Sequence, residues 1–285
     1  MNKLSDPINK RSHLNIDTDE IASEVLASLD QRRQMPPLTD RYAHLDLQTA
    51  YRVAASVRRL RDARGETAVG RKIGFTNTTI WAEFNVAAPI WGYVYDLTTF
   101  NASELGSGID LAGMIEPRIE PEIVFGLARA PEPGMDELTL LSCIEWVAHG
   151  FEIVQSIFPG WRFAAADTVA AFGLHAALLV GPRATVKADE AGMWCDALAS
   201  FGVALLCNGE VADQGRAANV LGGGPLAALR HLVDILAADR ASPPLSAGEV
   251  VSTGTLTRAL PIKAGERWST ILTGLPLQST AVTLT

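Results

Sequence analysis

The chain has 285 residues, 48% of them hydrophobic and 20% charged, with a formal net charge of −8. That composition provides for a large apolar core in one domain, or in a domain with an appended helical segment, and its acidic balance lacks the basic stripe that a nucleic-acid surface requires. No apolar run approaches membrane-spanning length, the N-terminal stretch has no signal-peptide core, and the three scattered cysteines, Cys143, Cys195 and Cys207, fit buried thiols of a reducing compartment better than a disulfide framework. The expectation is a soluble, cytoplasmic protein with neither a nucleic-acid nor a membrane partner.

Residues 1–16 are polar and read as loose. From Asp17, the spacing of Ile21, Val25, Leu26 and Leu29 predicts a helix, which "QMPPLTD" ends. Asp46 is placed to cap a second helix, "LQTAYRVAASVRRLRDAR", stopped by Gly65. Tyr51, Val53, Ala54, Val57 and Leu60 form its buried stripe, and Arg58, Arg59, Arg61 and Arg64 read as a solvated face. After Gly70 the texture changes to short β-like runs between Gly and Pro turns: "RKIGFT", "IWGYVYD" and "RIEPEIVFGLA". A helix is expected over about 137–149, with Leu141, Ile144, Val147 and Ala148 inward, followed by strands "FEIVQS" and "LHAALLVG". The remainder reads as strand "GVALLCNG", helix "PLAALRHLVDILAAD" after Gly222-Gly223-Gly224, strand "GEVVSTGTL", and C-terminal strands "ERWSTILTGL" and "QSTAVTLT". No regular βαβ alternation appears. The pattern predicts an α+β protein: a helical N-terminal segment over 1–65, then a β-rich, largely antiparallel catalytic domain over 66–285.

The stretch "EPRIEPEIVF" (116–125) concentrates the chemistry. Side chains two apart on a strand share a face, so Glu120 and Glu122 point one way and Ile119, Pro121 and Ile123 the other. Adjacent carboxylates repel and resist desolvation, so a buried pair needs a cation or a shared proton. Glu152, inside "GFEIVQS", is a third carboxylate among apolar neighbours. Three carboxylates from two strands would make a hard oxygen site suited to Mg²⁺ or Mn²⁺. A solvent-facing edge strand and a metal-free acid/base dyad are the other readings of the same residues.

Lys72, in "GRKIGFT", is either an acid/base group with a shifted pKa or a lysine snorkelling to the surface. His175, in "FGLHAALLVG", is a core histidine unless site residues surround it. "VLGGGPLAAL" lacks the Gly-Lys-Ser/Thr ending of a P-loop and the GxGxxG pattern; it reads as a tight start to a helix, whose free N–H groups suit an anion. Gly254 and Thr255, in "STGTLT", allow close backbone approach to a carboxylate ligand. No zinc spacing and no Gly-x-Ser-x-Gly elbow occur.

In order along the chain, "KIGFT", "PIWGYVYD", "PRIEPEIVF", "IEWVAHGFEIVQS", "WRFAAADTVA", "LCNGEVADQG", "VLGGGPLAAL" and "VSTGTLTRALPIKAGERW" resemble the 2-keto-4-pentenoate hydratase/4-oxalocrotonate decarboxylase family of the fumarylacetoacetate hydrolase superfamily. The resemblance runs from about Asp46 to the C-terminus. It implies a mixed β-roll, a divalent cation (Mg or Mn) on Glu120, Glu122 and Glu152, the family's strand lysine at Lys72, a small 2-oxo acid substrate and a homo-oligomer. Two departures stand out. Ile90 in "PIWG" replaces the acidic residue of "PDFG", and "DTVAAFGLH" (167–175) lacks the Asp-Asn pair of "DTVADNAS", keeping Asp167 and adding His175.

The activity implied is metal-dependent hydration of a 2-hydroxydienoate in aromatic-compound catabolism. Decarboxylation of a 4-oxalocrotonate-type acid and C–C hydrolysis of an acylpyruvate are the alternatives, because the same electron sink serves all three. A non-catalytic metal-bound sensing protein is a reading from another class. Within the enzyme reading, Lys72 aids proton transfer or holds the substrate carboxylate, His175 stands in as base, Asp167 is a further catalytic candidate, and Thr255 contacts the substrate carboxylate.

Overall fold

The structure, a computed structural model, describes residues 16–84, 86–106, 108–239 and 241–285; apart from Ile16, the stretch read as loose lies outside the described residues. Helix α1 (Thr18–Asp30) begins where Asp17 Oδ1 accepts the N–H groups of Asp19 and Glu20, and it buries Ile21, Ala22, Val25 and Leu26. A single turn, α2 (Leu38–Arg41), follows the prolines, and α3 (Leu47–Ala63) starts with the Thr49 N–H bound to Asp46. Then come β1 (Ala68–Gly74), α4 (Trp81–Phe84), β2 (Ile90–Tyr95), β3 (Thr99–Asn101), β4 (Arg118–Leu127), α5 (Glu137–Leu141), β5 (Ile144–Val154) and α6 (Ala165–Ala170). The chain continues through β6 (His175–Thr185), α7 (Ala191–Ser200), β7 (Gly202–Cys207), β8 (Glu210–Arg216), α8 (Pro225–Ala238), β9 (Val250–Ser252), β10 (Leu260–Pro261), β11 (Arg267–Thr273) and β12 (Ala281–Thr283).

The larger sheet runs β2-β1-β9-β4-β5-β6-β3, with β10 also paired to β4; the smaller runs β12-β11-β7-β8. The β1–β9 and β3–β6 pairs are parallel and the others antiparallel. Strand alternation then sorts the core. Ile119, Phe151, Ile153 and Leu179 pack under the smaller sheet's Leu205, Trp268 and Val282. Ile123, Phe125, Val147 and Val251 lie under Leu226, Leu229, Leu232 and Leu236 of α8, with Trp194 and Leu198 of α7. The opposite face of β4 carries Glu120, Glu122 and Val124, the last within a small cluster with Val94, Ala148, Leu178 and Val250. The result is the expected mixed α+β roll. The N-terminal helices are bound into it: Ile21, Val25, Leu26, Val53 and Val57 share one cluster with Ile90, Phe158, Val169 and Phe172.

Two expectations fail. The helix over 137–149 is a single turn ending at Leu141, and β5 begins at Ile144. From Trp146 on that strand is buried on both faces, so its apolar residues carry no period to separate strand from helix. The arginine face of α3 is not uniformly solvated either. Arg61 is buried, 3.0 Å from Glu66 and 4.4 Å from the Tyr95 ring centroid, while Arg58 lies over Tyr93 at 4.5 Å.

Candidate metal centre

Register brings the three glutamates together. β4 and β5 pair so that Glu120 stands directly opposite Glu152, and Glu122 opposite Gly150, where no side chain intervenes. Directly opposed residues share a face of the sheet, so all three carboxylates project into the same space. One oxygen from each lies within 4.8 Å of the others. Glu122 and Glu152 are fully buried, and Glu120 is partly open to the adjoining cleft.

Each carboxylate is held differently. Glu122 Oε2 accepts the Ser252 hydroxyl and, at 2.9 Å, the Gly254 N–H. Its Oε1 is buried with no hydrogen-bond partner. Glu152 Oε1 lies 2.8 Å from His175 Nδ1, and its Oε2 lies 2.9 Å from the Lys72 ammonium, an ion pair without hydrogen-bond geometry. Lys72 also donates to the Gly173 carbonyl at 3.1 Å.

Burial drives Glu122 well above the ordinary carboxylate range, with Glu152 and Glu120 adding repulsion. Burial likewise pushes Glu120 up to about 7, against the pull of Lys72. Burial opposes ionisation of Glu152 too, yet the Lys72 charge and the His175 hydrogen bond bring it below the usual value. Burial disfavours the Lys72 ammonium, but the three carboxylates outweigh that and raise it. Burial lowers His175 despite Glu152. Three enclosed carboxylates thus face one enclosed ammonium. An unpartnered oxygen among them is costly, and a hard divalent cation with oxygen ligands relieves both the charge excess and the orphan atom. The residues present fit such an ion, which Glu120, Glu122 and Glu152 would hold.

A narrow cleft that opens to solvent lies beside the cluster. Lys72, Glu120 and Thr255 are its polar side chains; Phe75, Ile80, Phe84, Ile90, Val154, Trp161, Leu174 and Ala259 make it otherwise apolar. Arg118 lies over the Trp161 ring at 4.2 Å.

No family model matches the chain. It is 33% identical over 251 residues to 2-hydroxyhexa-2,4-dienoate hydratase of Comamonas testosteroni, covering 87% of this chain and 90% of that protein. The chain belongs to the 2-keto-4-pentenoate hydratase/4-oxalocrotonate decarboxylase family. It is also 30% identical over 243 residues to 4-oxalocrotonate decarboxylase of Pseudomonas sp. (strain CF600), covering 85% of this chain and 87% of that one. Among solved structures, 4-oxalocrotonate decarboxylase from Pseudomonas putida G7, complexed with magnesium and adipate, superposes with a TM-score of 0.82 at 26% identity, covering 94% and 97% of the two chains. A yeast fumarylacetoacetate hydrolase family protein shares the fold at 12% identity and a TM-score of 0.50, over 75% of this chain and 91% of that one.

Against this hydratase/decarboxylase family, the two departures have structural counterparts. Ile90 is buried and forms cleft wall. Phe172, Gly173 and Leu174 form a tight left-handed turn with φ of 62°, 60° and 63°. Among the other residues singled out, Thr255 lines the cleft, and its hydroxyl donates to the Thr257 carbonyl. Gly254 spends its N–H on Glu122 rather than on a ligand, at a φ of 89° that favours glycine. A Cβ there would collide with the Thr76 hydroxyl and crowd the Ile73 carbonyl.

Asp167 does not join the cluster. Its Oδ1 accepts the Thr39 N–H at 2.9 Å, and its Oδ2 accepts the Thr39 hydroxyl and the Ala164 N–H, both at 2.7 Å, tying α2 to the start of α6. His175 touches Glu152 but is not among the cleft-lining residues. Sequence reasoning quoted Ser252 only as the first residue of "STGTLT", without its bond to Glu122, and missed Thr98, which carries no motif.

Proposed function

We propose that the chain is a divalent-metal-dependent hydro-lyase that adds water to a 2-hydroxydienoate, or its 2-oxo-enoate tautomer, giving a 4-hydroxy-2-oxo acid in aromatic-compound catabolism. The observation that carries the reading is the convergence of Glu120, Glu122 and Glu152, with an orphan oxygen, beside Lys72 at the polar end of an apolar cleft. A bound Mg²⁺ or Mn²⁺ would supply Lewis-acid stabilisation of negative charge on the substrate's 2-oxygen.

The chain's own groups do the rest. Lys72, fixed by Glu152 and Gly173, stands at the cleft floor to hold the substrate carboxylate or to pass the proton that moves from the 2-hydroxyl to C5. Water then adds across the conjugated double bond, with its oxygen to C4 and a proton to C3. Thr255 lines the same cleft, with its hydroxyl bonded to the Thr257 backbone. The aromatic and aliphatic walls exclude bulk water.

The relatives' names support this class of reaction, and the family spans both hydratases and decarboxylases. One observation favours decarboxylation as the second reading: Ile90 puts hydrocarbon in the cleft wall, and loss of CO₂ needs no activated water. We further propose that the protein is cytoplasmic, consistent with three free thiols, and that it is a homo-oligomer. Val211 and Ile271 are exposed on the outer face of the smaller sheet, flanking Ala204 and Leu206.

The test is ultraviolet loss of the dienol band of 2-hydroxypenta-2,4-dienoate by protein supplied with Mg²⁺ or Mn²⁺, with mass analysis of the product. A product heavier by one water, abolished by chelator, is expected. Turnover undiminished by chelator would overturn the metal reading; released CO₂ from 4-oxalocrotonate with an inert dienoate would replace hydration by decarboxylation.

A further inference from the structure

We propose that His175 is a positioning residue that fixes the Glu152 carboxylate for cation binding, rather than a base that acts on the substrate. This rests on the metal reading above.

The backbone is specially built to deliver the ring. In the β5–β6 pairing, Ile153 stands opposite Ala177, but the next pair is Val154 with His175, so the register slips by one residue there. Without that bulge, Ala176 would oppose Val154, and His175 would project to the far face of the sheet. One extra residue reverses side-chain parity, and it puts His175 on the face of Glu152. The three left-handed residues just before it, two of them not glycine, carry backbone strain. The same turn aims the Gly173 carbonyl at Lys72. A single local distortion therefore supports both groups that hold Glu152, one on each oxygen.

The ring has no nitrogen left for a substrate. Nδ1 lies 2.8 Å from Glu152 Oε1, and Nε2 lies 2.9 Å from the Thr98 hydroxyl, itself 3.2 Å from the Tyr95 carbonyl. Nδ1–H donates to Glu152, and Nε2 pairs with the Thr98 hydroxyl, whose single proton goes either to Nε2 or to the Tyr95 carbonyl, so the ring is held at both nitrogens. Glu152 then keeps Oε2 on the Lys72 ammonium, at 2.9 Å. Groups that orient a ligating carboxylate in this way commonly change metal affinity 10–100-fold when removed.

The experiment measures Mn²⁺ dissociation constants by calorimetry and electron paramagnetic resonance on chelator-stripped protein, with melting of the stripped protein as the folding control. An asparagine amide reaches the place of Nδ1 and a glutamine amide the place of Nε2. His175→Ala and His175→Gln should therefore bind Mn²⁺ about 10–100-fold more weakly, and His175→Asn should recover to within roughly threefold of wild type by keeping the Glu152 bond. Mn²⁺ affinity of His175→Ala within about threefold of wild type overturns the proposal and leaves the metal reading intact. So does failure of His175→Asn to recover affinity while it melts as wild type does. Absence of Mn²⁺ binding by the wild type overturns the metal reading and this proposal with it.

Discussion

At a pH high enough to ionise the raised Glu122 carboxyl, replacing it by Gln exchanges a buried charge for a neutral isostere. In the metal-free protein, Glu122 Oε2 is satisfied by Ser252 and Gly254, while Oε1 is buried without a donor in a cluster with two other carboxylates. The glutamine carbonyl keeps the Ser252 and Gly254 bonds, and its amide turns to donate to Glu120 and Glu152. An unmet buried polar group costs about 1–3 kcal/mol, so the metal-free variant should be more stable than metal-free wild type by about that amount. For a chain of this size that is a rise in Tm of ~2–6 °C. Metal acts on wild type alone and offsets that gain. A cation at 100 times its Kd stabilises wild type by about 2.7 kcal/mol, or roughly 5 °C, and should move the variant by less than about 1 °C. Calorimetric melting of chelator-stripped protein with and without Mn²⁺ reads all four values. A stripped variant that melts below wild type, with an undiminished Mn²⁺ shift, would refute both the orphan-oxygen argument and the assignment of Glu122 as a ligand.

Other outcomes follow from the same geometry. Lys72→Met should lower kcat by about 10²–10⁴-fold while Mn²⁺ still binds by calorimetry; loss of Mn²⁺ binding with turnover retained would reverse its role. Gly254→Ala meets the Thr76 hydroxyl and the Ile73 carbonyl and strains a φ of 89°, so denaturant melts should show a loss of several kcal/mol, at the severe end of single substitutions. The pH dependence of metal-free stability carries a definite sign. Glu120 and Glu122 bind protons more tightly folded than unfolded, so their contribution is complete below the ordinary carboxylate pKa and is lost as pH rises through about 7 for Glu120. His149 acts oppositely: burial lowers it to about 4, so its contribution is lost as pH falls from ~6.5 toward that value. The difference in Tm between Glu120→Gln and wild type, measured across pH 6–8, where the His149 contribution is common to both proteins and cancels, should grow with pH, and a flat difference would contradict the shift.

Much of the site was legible before any coordinates. Alternation in "RIEPEIVF" set Glu120 and Glu122 on one face because a strand has a period of two. Apolar neighbours singled out Glu152 and Lys72, the resemblance implied their roles, and register and the adjoining strands bring all four together. The failures have physical causes. From Trp146 on, "CIEWVAHGF" is buried on both faces, so periodicity could not tell β5 from a helix. Arg61 looked solvated because sequence does not reveal that Tyr95 and Phe172 supply aromatic faces. Asp167 looked chemical because its motif is; its partners, Thr39 and Ala164, are visible only in three dimensions. The side on which His175 projects depends on one bulge residue, and alternation alone would assign it to the wrong face.

The location of the cation tests the central claim most directly. Crystals soaked in Mn²⁺ and measured at the manganese edge should show an anomalous peak within about 2.0–2.6 Å of oxygens from Glu120, Glu122 and Glu152. A peak elsewhere, or none at this cluster in protein that turns over the dienoate, would contradict the account.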